Sequence, residues 1–511
     1  MTGGARAVIN LDVTGAHISR HIYGHFAEHL GRCIYEGIWV GEDSDIPNDR
    51  GIRLDVVEAL KALHIPNLRW PGGCFADEYH WKDGIGPKAA RPRMVNTHWG
   101  NVEENNHFGT HEFMLLCELL ETEPYISGNV GSGTVEEMSQ WVEYLTRDGD
   151  SPMVALRKAN GRDTPWGIKF WGIGNETWGC GGHMRPEFYA DLARQYSTYC
   201  RNHGDNKLYR IASGANIDDY AWTEALMKTL GDFGTGDHPR NLMQALSLHY
   251  YTHGESWTEK GSATEFGDDD YYLSMLRAQR MDELLTRHIN IMDVYDPGQR
   301  IGLVVDEWGT WWNVEPGTNP GFLYQQNTMR DALVASLTFD IFHAHAHRVV
   351  MTNIAQTVNV LQAVLLTEEN QLILTPTYHV FEMNKDHHDA ALLPVSLSAP
   401  NATRTVREQP LRTLSVSAST KNGQALVSVT NLDAEAGERV ELDLRGLDYE
   451  VTDARVLTAP RLQDHNTAAA PAAVTPTTFD RYTRSGRRLT LELPPHSFVT
   501  VKMHVGNPDD L

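Results

Sequence analysis

A chain of 511 residues is longer than one hydrophobic core supports, so it is expected to divide into a large and a smaller domain. Hydrophobic residues at 41% and charged residues at 22% exclude a disordered or fibrous protein. A formal charge of −23 with scattered basic residues excludes a nucleic-acid or anionic-membrane binder and points to a neutral ligand. In chain order, Ala5–Asp12 alternates in hydrophobicity and is expected to lend an edge strand to a sheet formed much later. From about Ile18 to His388, short apolar runs alternate with longer amphipathic stretches. The runs are Ile22–Phe26, Pro66–Trp70, Pro124–Gly128, Lys169–Ile173, Tyr209–Ser213, Ala245–His249, Ile301–Val305 and Val349–Ile354. Helical spacing marks Arg53–Leu63, and a proline suited to a first helical turn opens Pro186–Cys200. Eight strands with intervening helices predict a (β/α)₈ barrel over residues 18–388, with functional residues just past the strand ends.

After about Ala390 the texture changes to short, alternating, turn-bounded runs: Thr413–Ser419, Gln424–Asn431, Arg439–Asp443, Leu489–Leu493 and Phe498–His504. These predict an all-β, jelly-roll-like sandwich over 389–511, to which residues 1–17 add a strand, and Asp464–Thr478 is a loop within it. Met1 to Leu11 lacks the apolar core of a secretion signal, and no segment offers the roughly 18–20 apolar residues of a membrane span, so a cytoplasmic protein is expected. The five cysteines (Cys33, Cys74, Cys117, Cys180, Cys200) are odd in number, widely spaced and without a C-x-x-C pair. Reduced thiols are expected, not a disulfide framework or a zinc site.

Two acids stand out because each ends an apolar strand beside aromatic residues. In Trp171-Gly172-Ile173-Gly174-Asn175-Glu176-Thr177-Trp178, burial disfavours the charged carboxylate and prepares it as a general acid. In Leu303-Val304-Val305-Asp306-Glu307-Trp308-Gly309 the second acid ends the seventh strand. The ends of strands four and seven can face each other across a barrel mouth, and two carboxylates about 5–5.5 Å apart suit a double-displacement glycoside hydrolysis.

The chain resembles the α-L-arabinofuranosidases of glycoside hydrolase family 51. The resemblance spans nearly its whole length and rests on Tyr23–His29, Arg69–Phe75, Trp171–Gly182, Leu248–Tyr251, Asp306–Trp308 and Asn353–Gln356. Carried over by position, it implies Glu176 as acid/base and Glu307 as nucleophile, with Glu28, Cys74, Asn175, Tyr251 and Gln356 lining a furanose subsite. Asn175 is placed to donate to the sugar 2-hydroxyl and Tyr251 to orient Glu307. Trp99 and Trp311 fall in loops near the mouth, with Trp312 an alternative to Trp311. His249 is expected to hold a neighbour of Glu307 or to face the substrate. The loop His253–Asp270 reads as a lid or rim, or as a merely solvated loop. The implied substrates are terminal non-reducing α-L-arabinofuranosyl residues of arabinan- or arabinoxylan-derived oligosaccharides. A related retaining activity, β-xylosidase or endo-β-glucanase, is the alternative, and a non-catalytic carbohydrate-binding protein a remote one. The resemblance also implies a homohexamer. His343-x-His345-x-His347 lacks a companion acid at ligand spacing, so no metal is expected. No phosphate loop, nucleophile elbow or dinucleotide fingerprint occurs, so no cofactor is expected either.

Overall fold

The computed structural model describes residues 4–231 and 242–506, so the outermost residues of the expected second domain lie outside the described residues. Eight parallel strands close into a barrel. In chain order they are Gly24–Phe26, Asn67–Trp70, Glu123–Gly128, Phe170–Ile173, Tyr209–Asn216, Ala245–Thr252, Gly302–Thr310 and Val349–Ala355. All eight predicted runs therefore form strands, with two informative differences at their ends. Ile22 and Tyr23 belong to a short 3₁₀ turn, Arg20–Tyr23, whose N-cap Ser19 accepts from the His21 amide. The seventh strand runs on past Val305, so Glu307 sits inside it, paired in register with His249 of the sixth strand. Register shifts between Ser247 and His249 and between Val305 and Trp308 bend both strands there and re-aim their side chains.

Helices Leu54–Ala62 and Pro186–Tyr199 form close to where periodicity placed them, each burying one face against the barrel. Tyr125, Phe170, Ile211, Ala245, Val304 and Met351, from six of the eight strands, make a separate cluster that plugs the barrel interior. The barrel is thus a packed core rather than a pore, and the polar residues of the motifs are left to gather at its C-terminal mouth.

The β-rich remainder forms two sheets around their own apolar core. One has five strands, including Glu438–Arg445 and Arg488–Leu493; the other has six, including Leu414–Lys421, Gln424–Asn431 and Ser497–Gly506. Ala5–Asn10 does not form an edge. It lies between Val395–Ser398, antiparallel, and Glu438–Arg445, parallel, because its alternating Ala5, Ala7 and Ile9 all face the sandwich core. The sandwich packs on helix Met329–Ala344, where His343 hydrogen-bonds both Tyr23 and Ser417. His345 turns instead to Asp282, so the histidine triplet is divided between structural contacts. No helix among the described residues is long and apolar enough to cross a membrane.

Candidate active site

Glu176 follows the fourth strand through Gly174, whose φ of +83° suits glycine, and itself holds φ +38°. A non-glycine residue in that left-handed region costs of order 1–3 kcal/mol. The conformation is held by the amides of Gly179 and Gly181, which donate to the Glu176 carbonyl at 2.7 and 3.1 Å. The turn directs the carboxyl across the mouth towards Glu307, and an oxygen of each lies within 4.8 Å of an oxygen of the other. The two carboxyls thus face each other at close range, as a double-displacement pair requires.

The environments of the two acids differ. Burial and the facing Glu307 raise the Glu176 pKa above an ordinary carboxyl's, and His249 and Arg69 only partly offset this. Glu307 accepts from Arg69 Nη1 at 2.9 Å and from the Tyr251 hydroxyl at 2.7 Å, two donors that favour its anion. Glu176 is therefore suited to carry a proton, and Glu307 presents a carboxyl group fixed in place by two donors.

His249 lies between the acids. Nδ1 is 2.9 Å from Glu176 Oε1 and 3.6 Å from Glu307 Oε2, while Nε2 is 3.0 Å from Asp306 Oδ1. Burial opposes its charge, but Glu307, Asp306 and Glu176 together overcome that and raise its pKa to about 10. Both ring nitrogens are thus engaged by carboxylates, and His249 bridges Glu176 to Asp306. Asp306 also accepts from Tyr125 at 2.6 Å. Burial would raise its pKa, but Arg69 and His249 outweigh that and hold it near 2.

The remaining candidates line the rest of the mouth. Glu28 Oε1 accepts from the amides of Gly73 (2.9 Å) and Phe75 (3.1 Å) and from Trp99 Nε1 (3.0 Å), and Oε2 accepts from Gln356 Nε2 at 2.8 Å. Gln356 Oε1 is buried without a protein partner and so offers an acceptor to a ligand. Asn175 presents Oδ1 to Arg69 at 2.6 Å, while its amide nitrogen makes a long contact to the Cys180 sulfur and its side chain hydrogen-bonds the buried Asp77 carboxyl. Gly73 is required by close approach, since a Cβ there would lie 2.7 Å from Glu307 Oε1. Trp311 packs edge-on to Tyr251 at 5.0 Å, whereas Trp312 is buried and donates to Asp331, which separates the two indoles.

The expectation of reduced thiols fails at one pair. Cys74 and Cys180 are disulfide-bonded across a sequence separation of 106, because barrel closure brings together the loops after strands two and four. Their sulfurs lie 3.7 and 3.4 Å from Glu176 Oε2 and so wall the acid on one side. Cys33, Cys117 and Cys200 are free and buried.

Residues 59–264 match the family described as Alpha-L-arabinofuranosidase 1 domain, and residues 306–497 that described as Alpha-L-arabinofuranosidase C-terminal domain. An intracellular exo-alpha-L-arabinofuranosidase of Bacteroides ovatus is 51% identical over 98% of this chain and 95% of its own. The chain belongs to the α-L-arabinofuranosidases of glycoside hydrolase family 51. The crystal structure of a family 51 arabinofuranosidase from Xanthomonas axonopodis pv. citri superposes with a TM-score of 0.94 at 49% identity, covering 98% of this chain and 99% of that one. An α-L-arabinofuranosidase from Thermotoga maritima, solved with arabinose, superposes at 0.81 with 31% identity, covering 98% and 99%.

The sequence alone marks no role for Arg69, Asp306, Tyr125 or Cys180, although Arg69 touches Glu307, Asp306 touches His249, Tyr125 touches Asp306 and Cys180 touches Glu176. The first two left a signal: a charged residue inside an otherwise apolar barrel strand is buried and needs a partner. For Tyr125 and Cys180 the signal is spatial only.

Proposed function

We propose that the enzyme is a retaining, exo-acting α-L-arabinofuranosidase that releases terminal non-reducing arabinofuranosyl residues from arabino-oligosaccharides derived from arabinan or arabinoxylan. The observation that carries this is a pair of carboxyls with facing oxygens within 4.8 Å, one inclined to hold a proton and one fixed by the donors Arg69 and Tyr251. Glu307 attacks the anomeric carbon while Glu176 protonates the departing oxygen, and a glycosyl ester forms on Glu307. Glu176, now a base, takes a proton from water, which attacks the same carbon and frees the sugar with its configuration retained. Because Oε1 of Glu176 accepts from His249, the travelling proton resides on Oε2.

Glu28, Trp99, Asn175, Gln356 and the Cys74 sulfur surround the furanose, and Trp311 borders the mouth. His249 acts through the two acids it bridges. The proposed division is a catalytic barrel over residues 18–388 and a sandwich domain over 389–511 to which residues 1–17 contribute a strand, with residues 1–3, 232–241 and 507–511 outside the described residues. The exo action and an intracellular location have support in the name of the Bacteroides relative. Assembly into a homohexamer rests on the family resemblance, and light scattering tests it. The assay for the activity compares aryl α-L-arabinofuranoside with aryl β-xyloside and aryl β-glucoside. Preference for the first is expected, and preference for either other substrate overturns the sugar assignment.

A further inference from the structure

Seven large hydrophobic side chains are substantially exposed among the described residues, and Trp257, at 49%, is the only tryptophan in that group. It is also continuous with the active site. Its ring lies 4.8 Å from that of Trp311, Trp311 lies 5.0 Å from Tyr251, and the Tyr251 hydroxyl donates to Glu307 at 2.7 Å. Three rings thus step outward from the nucleophile to solvent. Tyr251 stands near the end of strand six, and Trp257 and Trp311 follow in the loops after strands six and seven.

The loop that presents Trp257 is fixed in place. Gly254 donates to the Lys260 carbonyl at 3.0 Å, and a Cβ on Gly254 would lie 2.5 Å from that oxygen, so glycine is required for the turn. Glu259 closes on Ser256 at 3.1 Å, and the Asn313 amide donates to Gly261 at 2.9 Å, tying the loop to the segment that carries Trp311. Arg277 Nη2 holds the Glu255 carbonyl at 2.7 Å. The indole is thus held half-exposed on a well-tethered turn, open to a ligand.

Lys260 completes the surface. Its ammonium donates to the Trp257 carbonyl at 2.5 Å and stands 4.9 and 5.6 Å from the Trp257 and Trp311 ring centroids. An ammonium has three donors, so two remain for a ligand. An apolar ring beside cationic donors suits a neutral sugar, whose C–H face lies on the indole while its hydroxyls accept from the amine.

We propose that Trp257 and Lys260 form a subsite for the leaving-group side of the substrate, binding the pentosyl residues beyond the scissile bond. The subsite makes the enzyme prefer oligosaccharides to small aglycones, and it rests on the arabinofuranosidase reading above. The test compares wild type, Trp257→Ala, Trp257→Phe and Lys260→Met on 4-nitrophenyl α-L-arabinofuranoside and on α-linked arabino-oligosaccharides of two to four residues. For Trp257→Ala, the loss of kcat/KM on the longer oligosaccharides is expected to exceed that on the aryl glycoside by about tenfold, chiefly through KM. Trp257→Phe should recover part of it, and Lys260→Met should show a smaller loss of the same kind. Equal losses on both substrates would make Trp257 merely structural and overturn the proposal. So would unchanged oligosaccharide kinetics accompanied by altered assembly in light scattering, which would make the indole a subunit contact. A wild-type enzyme inactive on every arabinofuranoside would instead remove the functional reading itself.

Discussion

Asp306→Asn is the substitution that most sharply tests how the site is held. Asp306 is buried and shares its carboxylate between His249 Nε2 at 3.0 Å, Tyr125 at 2.6 Å and Arg69 Nε at 3.6 Å. With charge centres about 4 Å apart and an effective dielectric of about 20, Coulomb's law gives roughly 4 kcal/mol between Asp306 and an imidazolium at His249. At about 1.4 kcal/mol per unit, that corresponds to roughly 3 units of pKa. His249 stands near 10 in the native enzyme, so neutralising Asp306 brings it to about 7–8. Above that pH the imidazole loses its charge and keeps a single N–H, so it no longer supports the carboxylates around it as a cation, and activity falls on an additional limb. The kcat/KM profile reads the limb, and an NMR titration of the His249 ring reads the ionisation directly. A variant profile that is a scaled copy of the wild type, with the ring still charged at pH 9, would refute the reasoning. Circular dichroism guards against unfolding, since breaking a buried charge pair costs about 3–5 kcal/mol.

Tyr251→Phe removes the 2.7 Å hydrogen bond to Glu307; a bond to a charged group is worth about 1.5–3 kcal/mol, so kcat/KM should fall roughly 10- to 100-fold with the fold intact. Gly73→Ala places a methyl 2.7 Å from Glu307 Oε1 and should lower activity sharply, while Gly167→Ala, with nothing within 4 Å, should not. Burial and Glu307 raise Glu28 to about 7. A group whose folded pKa is raised stabilises fully below its unfolded value, about 4.5, and that stabilisation is lost as pH rises through 7. Denaturant midpoints should therefore decline between about pH 4.5 and 7, and Glu28→Gln should flatten the decline; an unchanged slope would contradict the assignment.

The barrel was legible because each strand is a dense apolar run, and Glu176 and Glu307 because each interrupts or ends one beside an indole. Ala5–Asn10 announced itself by alternation, but alternation cannot say whether neighbours flank one side or both, so its interior place emerged only from the pairing. The disulfide was hidden because the two cysteines meet only once the barrel closes. Trp311 and Trp312 are adjacent in sequence and point apart in space, which composition cannot resolve. Asp306 was overshadowed by its neighbour. An acid in the middle of Leu303–Trp308 must be paired when buried, and that rule alone would have directed attention to Arg69 and His249.

The central claim is that Glu307 carries the sugar between two displacements. In a Glu176→Ala variant given an aryl arabinofuranoside with a good leaving group, the first step proceeds without acid help and the second lacks its base. Intact-mass and peptide spectrometry should then find one pentosyl residue on the protein, on the peptide containing Glu307. A protein that turns over with no adduct, or with one on another residue, would contradict the mechanism.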